Sequence, residues 1–231
     1  MRTLIRNFLM AVMATSLLAA PAVASIVITG TRVIYASDAK EVSVKLNNAG
    51  KQPVLIQSWI DRGDANAKPE SIKVPFILTP PINRVEAGKG QTLRISYTGE
   101  ALPTDKESVF WFNVLEIPAK NKANTAENFL QVAFRSRIKF FFRPIGLQGD
   151  ANEAAKVVTW TGKGNSLLAS NPTPYYVSFV TLSVNGRKVE GSMIAPHSTL
   201  TVKLPGHAGS KVSGEYVNDY GAVRSFESVI K

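Results

Sequence analysis

The stretch that most constrains the fold runs from Phe129 to Pro144. Side chains along a β-strand alternate between two faces, so residues two apart lie on the same face. One face of this stretch is apolar and contains Leu130, Val132, Phe134, Ile138 and Phe140. The other face is polar and cationic and contains Gln131, Arg135, Arg137 and Lys139. The pattern predicts a strand over Phe129–Phe142 that is about twice the usual five or six residues, which leaves length for a second use.

The first half of the chain predicts an immunoglobulin-like β-sandwich. Short apolar or alternating stretches are separated by turn residues such as Asn48-Ala49-Gly50 and Ala87-Gly88. The predicted strands are Ile26–Tyr35, Glu41–Asn47, Pro53–Asp61, Pro75–Leu78, Thr92–Tyr97, Ser108–Ile117 and Phe129–Phe142. Ser108–Ile117 is apolar on both faces, so we expect it at the centre of a sheet. Seven strands in about 120 residues are typical of this sandwich.

The second half predicts a smaller β-sandwich after a linker. The polar run that follows Pro144 places the linker at residues 144–155, between a first domain of residues 25–143 and a second of residues 156–231. The predicted strands are Lys156–Trp160, Ser166–Ala169, Tyr175–Val184, Thr199–Leu204 and Val223–Val229. Asn185-Gly186 is a strong hairpin signal.

Residues 1–24 have the pattern of a cleavable export signal. Arg2 and Arg6 precede an apolar run over Phe8–Ala20, and Ala22-Val23-Ala24 supplies the small-x-small cleavage pattern before Ser25. We therefore expect an exported protein, located in the periplasm, whose mature chain begins near Ser25. The apolar run is shorter than the roughly 20 residues that span a membrane.

The net charge and the absence of cysteine limit the kinds of partner and of stabilisation that the chain can have. Removing the two arginines of the leader lowers the formal net charge from +10 to +8. A basic surplus suits nucleic acid, anionic membranes or acidic proteins. Export and the lack of a Lys/Arg-rich run argue against nucleic acid. The chain has no Cys, so each sandwich must be stable without disulfides.

The sequence contains no recognisable catalytic or metal-binding pattern. His197 and His207 are the only histidines, and neither has the spacing of metal ligands. There is no Cys nucleophile, no GxSxG elbow and no phosphate-binding glycine loop. We therefore expect no enzymatic activity, no catalytic residues, no metal and no cofactor.

Several short motifs occur in the order seen in one family. They are Gly30-Thr31-Arg32, Thr79-Pro80-Pro81-Ile82-Asn83-Arg84, Glu107-Ser108-Val109-Phe110-Trp111-Phe112-Asn113, Glu116-Ile117-Pro118, Ile138-Lys139 through Arg143-Pro144, Asn171-Pro172-Thr173-Pro174-Tyr175-Tyr176-Val177 and Asn218-Asp219-Tyr220-Gly221. In this order they resemble the periplasmic pilus chaperones of the chaperone–usher pathway, the PapD-like family. The motifs are distributed over nearly the whole mature chain, in both predicted domains. The short, Cys-free run over Pro118–Asn128 resembles the short-loop subclass, which builds rod-shaped pili.

The resemblance implies an all-β fold of two immunoglobulin-like domains at an angle, with a cleft between them. It implies a chaperone that binds, folds and caps pilus subunits by donor-strand complementation and delivers them to an outer-membrane usher. The implied donor residues are Leu130, Val132 and Phe134. The implied anchor for the C-terminal carboxylate of the subunit is Arg32 with Lys139, and the implied interdomain ion network is Glu107, Arg143 and Asp219.

The residues alone leave other interpretations open. Alternation shows only that one face of the Phe129–Phe142 strand is buried, so Leu130, Val132 and Phe134 could pack in the core of their own sandwich. Lys139 could be one more solvated cation. A secreted adhesive or carbohydrate-binding protein could use Trp59, Trp111 or Trp160 as an aromatic platform. An open apolar edge strand also predicts weak self-association of the free protein.

Overall fold

The structure, a computed structural model, describes residues 25–118 and 132–231. The predicted leader, Leu130 and most of the predicted short loop lie outside the described residues. The strands are β1 (Ile26–Ile28), β2 (Arg32–Ala36), β3 (Val42–Asn48), β4 (Val54–Asp61), β5 (Phe76–Thr79), β6 (Ile82–Val85), β7 (Gly90–Tyr97), β8 (Ser108–Pro118), β9 (Phe134–Arg143), β10 (Thr159–Lys163), β11 (Ser166–Asn171), β12 (Val177–Val184), β13 (Arg187–Glu190), β14 (Met193–Ile194), β15 (Ser198–Val202), β16 (Lys211–Val217) and β17 (Val223–Val229). A helix, α1, spans Ala154–Val157, and a 3-10 turn spans Pro69–Ser71. Within the described ranges, no helix has the length and apolar character needed to cross a membrane.

Strands β1 to β9 form the first sandwich around one apolar core. One sheet has the order β1-β3-β7-β5, and the other has the order β2-β9-β8-β4-β6. Alternation directs the side chains: in β3, Val44 and Leu46 are buried while Ser43 and Lys45 are exposed. The centre of the core is aromatic and contains Tyr35, Phe76, Phe110, Phe140 and Phe142. The predicted central position of the Ser108–Ile117 strand is confirmed, because β8 lies between β9 and β4.

The prediction of one strand over Ile26–Tyr35 is wrong. This stretch is divided between the two sheets, since β1 pairs with β3 while β2 pairs with β9. Gly30 lies at the division with a φ of 100°, a conformation that glycine adopts without steric cost. The change of sheet makes β2 run parallel to β9, and this register sets Arg32 beside Lys139.

The first sandwich also contains a strand that alternation did not indicate. Strand β6 pairs antiparallel with β4, shortly after the Thr79–Pro80 peptide bond, which is cis. The sequence pattern is weak here because β6 is short and most of it is not buried.

Strands β10 to β17 form the second sandwich. One sheet has the order β10-β11-β15, and the other has the order β13-β12-β16-β17 with β14 beside β12. Trp160, Phe179 and Phe226 pack against one another in its core. The predicted hairpin is confirmed: Asn185 and Gly186, with φ of 48° and 79°, join β12 to β13. The predicted all-β fold class is thereby confirmed.

Two details of the second sandwich differ from prediction. The predicted strand over Lys156–Trp160 is wrong at its start, because Lys156 lies in α1 and β10 begins at Thr159. Strands β13, β14 and β16 were not among the predicted strands. The alternation of β16 is interrupted at Gly214, where an added Cβ atom would clash with the Thr181 carbonyl oxygen on the neighbouring strand.

Strand β9 has a partner along one side and a shorter partner along the other. Strand β8 pairs with it from Phe134 to Phe142. Strand β2 covers the opposite side only from Lys139 to Arg143. Within residues 25–118 and 132–231, the main chain of residues 134–138 therefore has an open edge.

Candidate functional site

The open edge of β9 lies beside exposed apolar side chains. Val132 is 47% exposed and Phe134 is 43% exposed. Further along the strand, Ile138 packs against the first core and Phe140 is fully buried. The interpretation that the whole apolar face packs into its own sandwich is therefore wrong for Val132 and Phe134. These two side chains are accessible to a partner.

A pair of cations lies next to this edge. Arg32 and Lys139 are directly opposite each other in the parallel register of β2 and β9. Lys139 Nζ donates to Ser178 Oγ at 3.0 Å, and Ser178 belongs to β12 of the second sandwich. Arg32 Nε is buried and has no hydrogen-bond partner in the described chain. The pair thus lies where the two sandwiches meet, and its Arg32 Nε donor is available within the described residues.

The surroundings of this pair disfavour its positive charge. Burial lowers the pKa of Arg32, and the more distant Asp219 and Glu107 offset this only in part. Burial, and then the charge of Arg32, lowers the pKa of Lys139. The Arg32 guanidinium lies 5.7 Å from the ring centre of Phe141, which itself packs against Tyr176 of the second domain. A bound anion would remove the electrostatic cost of holding both cations together.

An ion network joins the two sandwiches nearby. Arg143 Nε donates to Glu107 at 2.6 Å, and its terminal nitrogens donate to the two carboxylate oxygens of Asp219 at 2.7 and 2.8 Å. Glu107 also accepts from the Tyr176 backbone N–H at 2.7 Å, and its own N–H donates to the Pro174 carbonyl at 2.9 Å. Arg143 therefore contacts both other predicted network residues, Glu107 in its own sandwich and Asp219 across the domain junction.

The charges of this network depend on one another. Burial raises the pKa of Glu107, against the opposing effect of Arg143. Burial alone would lower the pKa of Arg143, but its bonds to Asp219 and the charge of Glu107 hold it above its usual value. Side chains of Glu107 and Arg143 are only 2% and 21% exposed, so this contact is not an ordinary surface ion pair.

The sequence analysis did not identify a second ion network on the outer face of β9. Asp61, whose side chain is 1% exposed, accepts from Arg137 at 2.6 Å and from the Asn113 amide at 2.8 Å, and lies 3.4 Å from Arg135. Burial alone would raise the pKa of Asp61, but hydrogen bonds from Arg137, Gly63 and Asn113 hold it below its usual value. An acidic residue that ends an apolar strand was the signal that could have indicated this network.

The aromatic residues of the alternative interpretation do not form a platform. Trp160 is fully buried in the second core. The guanidinium of Arg135 covers Trp59 at 4.8 Å, and that of Arg137 covers Trp111 at 4.2 Å. Among the described residues, no group of three or more His, Cys, Asp or Glu side chains could hold a metal ion.

Two β-sandwiches that meet beside a pair of cations, with an open strand edge next to them, have the arrangement expected of a chaperone of pilus assembly. The chain belongs to the PapD family. Residues 25–148 match the family described as pili and flagellar-assembly chaperone, PapD N-terminal domain, and residues 153–228 match pili assembly chaperone PapD, C-terminal domain. The predicted family is thus confirmed, while the limits predicted for the domains and linker stay a prediction.

Curated relatives and solved structures agree with this assignment. The chain is 49% identical to the probable fimbrial chaperone YadV of Escherichia coli K12, over 86% of this chain and 87% of the relative. It is 46% identical to the chaperone protein FimB/FhaD of Bordetella pertussis, over 92% and 91% of the two chains. The crystal structure of YadV chaperone superimposes with a TM-score of 0.76 at 43% identity, covering 89% of this chain and all of that one. The Salmonella enterica SafA pilin in complex with the SafB chaperone gives a TM-score of 0.79 at 29% identity, covering 91% and 98%.

Proposed function

We propose that this chaperone captures fimbrial subunits in the periplasm by lending them the first half of β9. The subunit would add to the open edge at residues 134–138, with Leu130, Val132 and Phe134 entering its groove. The complex would then be passed to an outer-membrane usher. The chaperone performs no catalytic step in this cycle and uses no cofactor.

The observation that carries the proposal is the open edge of β9 beside exposed apolar residues. Unpaired strand edges recruit other strands, and folded proteins normally cover or charge them. Here β2 begins opposite Lys139, so the edge of β9 before Lys139 is uncovered in the described chain. Val132 and Phe134 add apolar area to that edge. The same edge underlies our prediction of weak self-association in the absence of a subunit.

The cation pair suits the C-terminal carboxylate of the subunit. In the part of the chain that the structure describes, Arg32 has a buried Nε donor without a partner, and Lys139 donates to one neutral acceptor, Ser178. A carboxylate has enough acceptor sites for both cations. Fixing the chain end would also fix the register, and a slip of one residue would turn the apolar face of the added strand outward.

The two contributions are of similar size. Each large apolar side chain that leaves water contributes about 1.5–3 kcal/mol before ordering costs. Truncating one partner of a buried charged contact costs about 2–5 kcal/mol. Neither alone is expected to hold a subunit, so loss of either should weaken the complex severely.

The test is co-expression with a fimbrial subunit encoded beside this chain, followed by purification of the complex from the periplasm. We expect a one-to-one complex, at least about thirtyfold weaker with Lys139→Ala, which corresponds to 2 kcal/mol. Lys45→Ala is the matched control, because Lys45 is an exposed cation on β3 of the same domain. Normal subunit capture by Lys139→Ala, with unchanged stability of the free protein, would refute the anchor.

The edge strand needs its own pair of variants. Phe134→Ser should weaken capture, because it removes apolar area from the proposed donor segment. Ile77→Ser is the matched control: Ile77 is 60% exposed on β5, in the other sheet of the same sandwich. Equal effects of the two substitutions would show that general surface hydrophobicity, and not the β9 edge, binds the subunit.

A further inference from the structure

Glu116 is a buried carboxylate at the far end of β8. It is 7% exposed and has the same inward orientation as Phe110, Phe112 and Val114. Its described hydrogen-bond donors all come from Ser25 and Ile26. Glu116 Oε2 accepts from the backbone nitrogens of Ser25 and Ile26 at 3.0 and 2.9 Å, and Oε1 accepts from Ser25 Oγ at 2.5 Å. Among the described residues, no Lys, Arg or His side chain forms an ion pair with it.

Ser25 is held in place by the turn between β3 and β4. The Ala49 N–H donates to the Ser25 carbonyl at 2.7 Å. Gly50 lies so close that a Cβ atom on it would be 2.6 Å from Ser25 Cβ. The Asn48 side chain orders the same turn by accepting from the Gly50 N–H at 2.9 Å. The position of the Ser25 nitrogen against Glu116 is therefore built into the fold.

A buried carboxylate with only neutral donors is incompletely compensated. Burying an ionised group is costly unless it is both hydrogen-bonded and paired with an opposite charge. The donors at Glu116 satisfy the first condition. The second is satisfied if the Ser25 nitrogen is a free ammonium group rather than a peptide nitrogen.

We propose that Glu116 is the binding site for the α-ammonium group of the mature chain. The proposal rests on the predicted cleavage between Ala24 and Ser25. Hydrolysis of that peptide bond by a signal-processing peptidase consumes one water, leaves a carboxylate on Ala24 and gives Ser25 a free amine. With a usual pKa of about 7.7–8.0, this amine takes up a proton at neutral pH. Among the described residues, Glu116 thus acquires a countercharge when the leader is removed.

The location links processing to the proposed donor segment. Glu116 pairs directly with Phe134 across the β8–β9 ladder. The same contact joins β1 of one sheet to β8 of the other, so it closes this end of the sandwich. Removal of the leader is therefore expected to stabilise the framework from which β9 is presented, independently of whether a subunit binds.

The first measurement is the intact mass of the exported protein, which must correspond to a chain that begins at Ser25. A different first residue would overturn the proposal. The second is a double-mutant cycle with the mature chain and a chain that retains Ala24, each with and without Glu116→Gln. We expect the extension to raise the equilibrium constant for unfolding about tenfold in the presence of Glu116 and less than twofold after Glu116→Gln. The difference follows because charge-assisted hydrogen bonds are about twice as strong as neutral ones. Equal losses on both backgrounds would overturn the ion pair.

A third measurement remains informative if Glu116→Gln does not fold. The pKa of the α-amino group, followed by NMR or by the pH dependence of amine-selective labelling, should lie above its usual value in the mature chain. In the Ala24-extended chain it should return to that value. Glu70→Gln is the control, because Glu70 is an exposed acid in the 3-10 turn. An α-amino pKa that is the same in the mature and extended chains would refute the site without bearing on subunit capture.

Discussion

Arg143→Met tests whether the interdomain ion network stabilises the arrangement of the two sandwiches. Methionine retains much of the apolar stem but has neither the charge nor the donors that contact Glu107 and Asp219 at 2.6 to 2.8 Å. The variant leaves Glu107, with a side chain only 2% exposed, with the Tyr176 N–H as its described donor. Asp219 is less affected, because its side chain is 19% exposed.

The expected loss is about 3 kcal/mol at pH 7. Removing one partner of a buried ion pair costs about 3–5 kcal/mol, because the other charge remains buried. The lower end applies here, since the Arg143 side chain is 21% exposed and water can replace part of its bonding. Arg84→Met is the matched control. It breaks the pair with Glu86, whose partners are 66% and 58% exposed, and should change stability by less than about 1 kcal/mol.

The loss should also depend on pH. Burial raises the pKa of Glu107, and Arg143 is the main group that opposes this. A raised folded pKa stabilises the fold below the unfolded value of about 4.3, and this contribution is lost as pH rises through the folded value. Without Arg143 the folded pKa rises further, so the deficit of the variant should be largest near pH 7 and should shrink as the pH falls towards 4.

The assay is urea unfolding of the free chaperone at pH 7 and pH 5, followed by tryptophan fluorescence. A two-domain chain need not unfold in one step, so the first transition is the one to compare. Adding Glu107→Gln to Arg143→Met should recover more than half of the loss, because the unpaired charge is removed. The reasoning fails if Arg143→Met is as stable as Arg84→Met, or if its deficit is the same at both pH values.

Three further changes have definite expected outcomes. Gly221→Ala should lower the stability of the chain in urea more than Gly209→Ala does. Both glycines have φ near 80°, but only at Gly221 would the added Cβ lie 2.5 Å from Thr31 Oγ1 of the first sandwich. Equal losses would show that this interdomain contact is unimportant. Phe140→Ala should lower the free energy of unfolding by about 3–5 kcal/mol in the same assay, because Phe140 is fully buried in the aromatic core. A loss below about 1 kcal/mol would contradict that packing. Subunit binding measured by calorimetry should weaken as pH rises through the pKa of the free Lys139, which burial lowers, because a bound carboxylate favours the charged form of this side chain. An affinity that is independent of pH up to the usual lysine pKa of about 10.4 would argue against a charged anchor.

Local patterns were sufficient to predict most strands but not how they associate. Alternation indicated β4, and the two apolar faces of Ser108–Ile117 indicated β8, because each strand contributes to a buried face along its whole length. The division of Ile26–Tyr35 could not be predicted, because its residues have high strand propensity on both sides of Gly30. Only the assembled sheets show that the second part runs parallel to β9.

The electrostatic contacts could not be predicted from the sequence because their partners are far apart in it. Lys139 and Ser178 are separated by 39 positions, and Arg137 and Asp61 by 76. Nothing in the local pattern distinguishes Ser178 from the other serines of the second sandwich. The resemblance to a family indicated which cations to inspect, but their acceptors became known only from the folded chain.

The arrangement of charges around β9 separates cations that stabilise the fold from cations that are available to a ligand. Arg135 and Arg137 share Asp61, and Arg143 lies between Glu107 and Asp219. Within the described residues, Arg32 and Lys139 have no carboxylate in ion-pair contact, and burial lowers the pKa of both. Two such cations side by side destabilise the free protein, so their presence is not explained by a contribution to folding. An arrangement of this kind is typical of sites whose compensating charge arrives with a ligand, which is why we propose that a subunit carboxylate binds there and not at the more exposed Arg135.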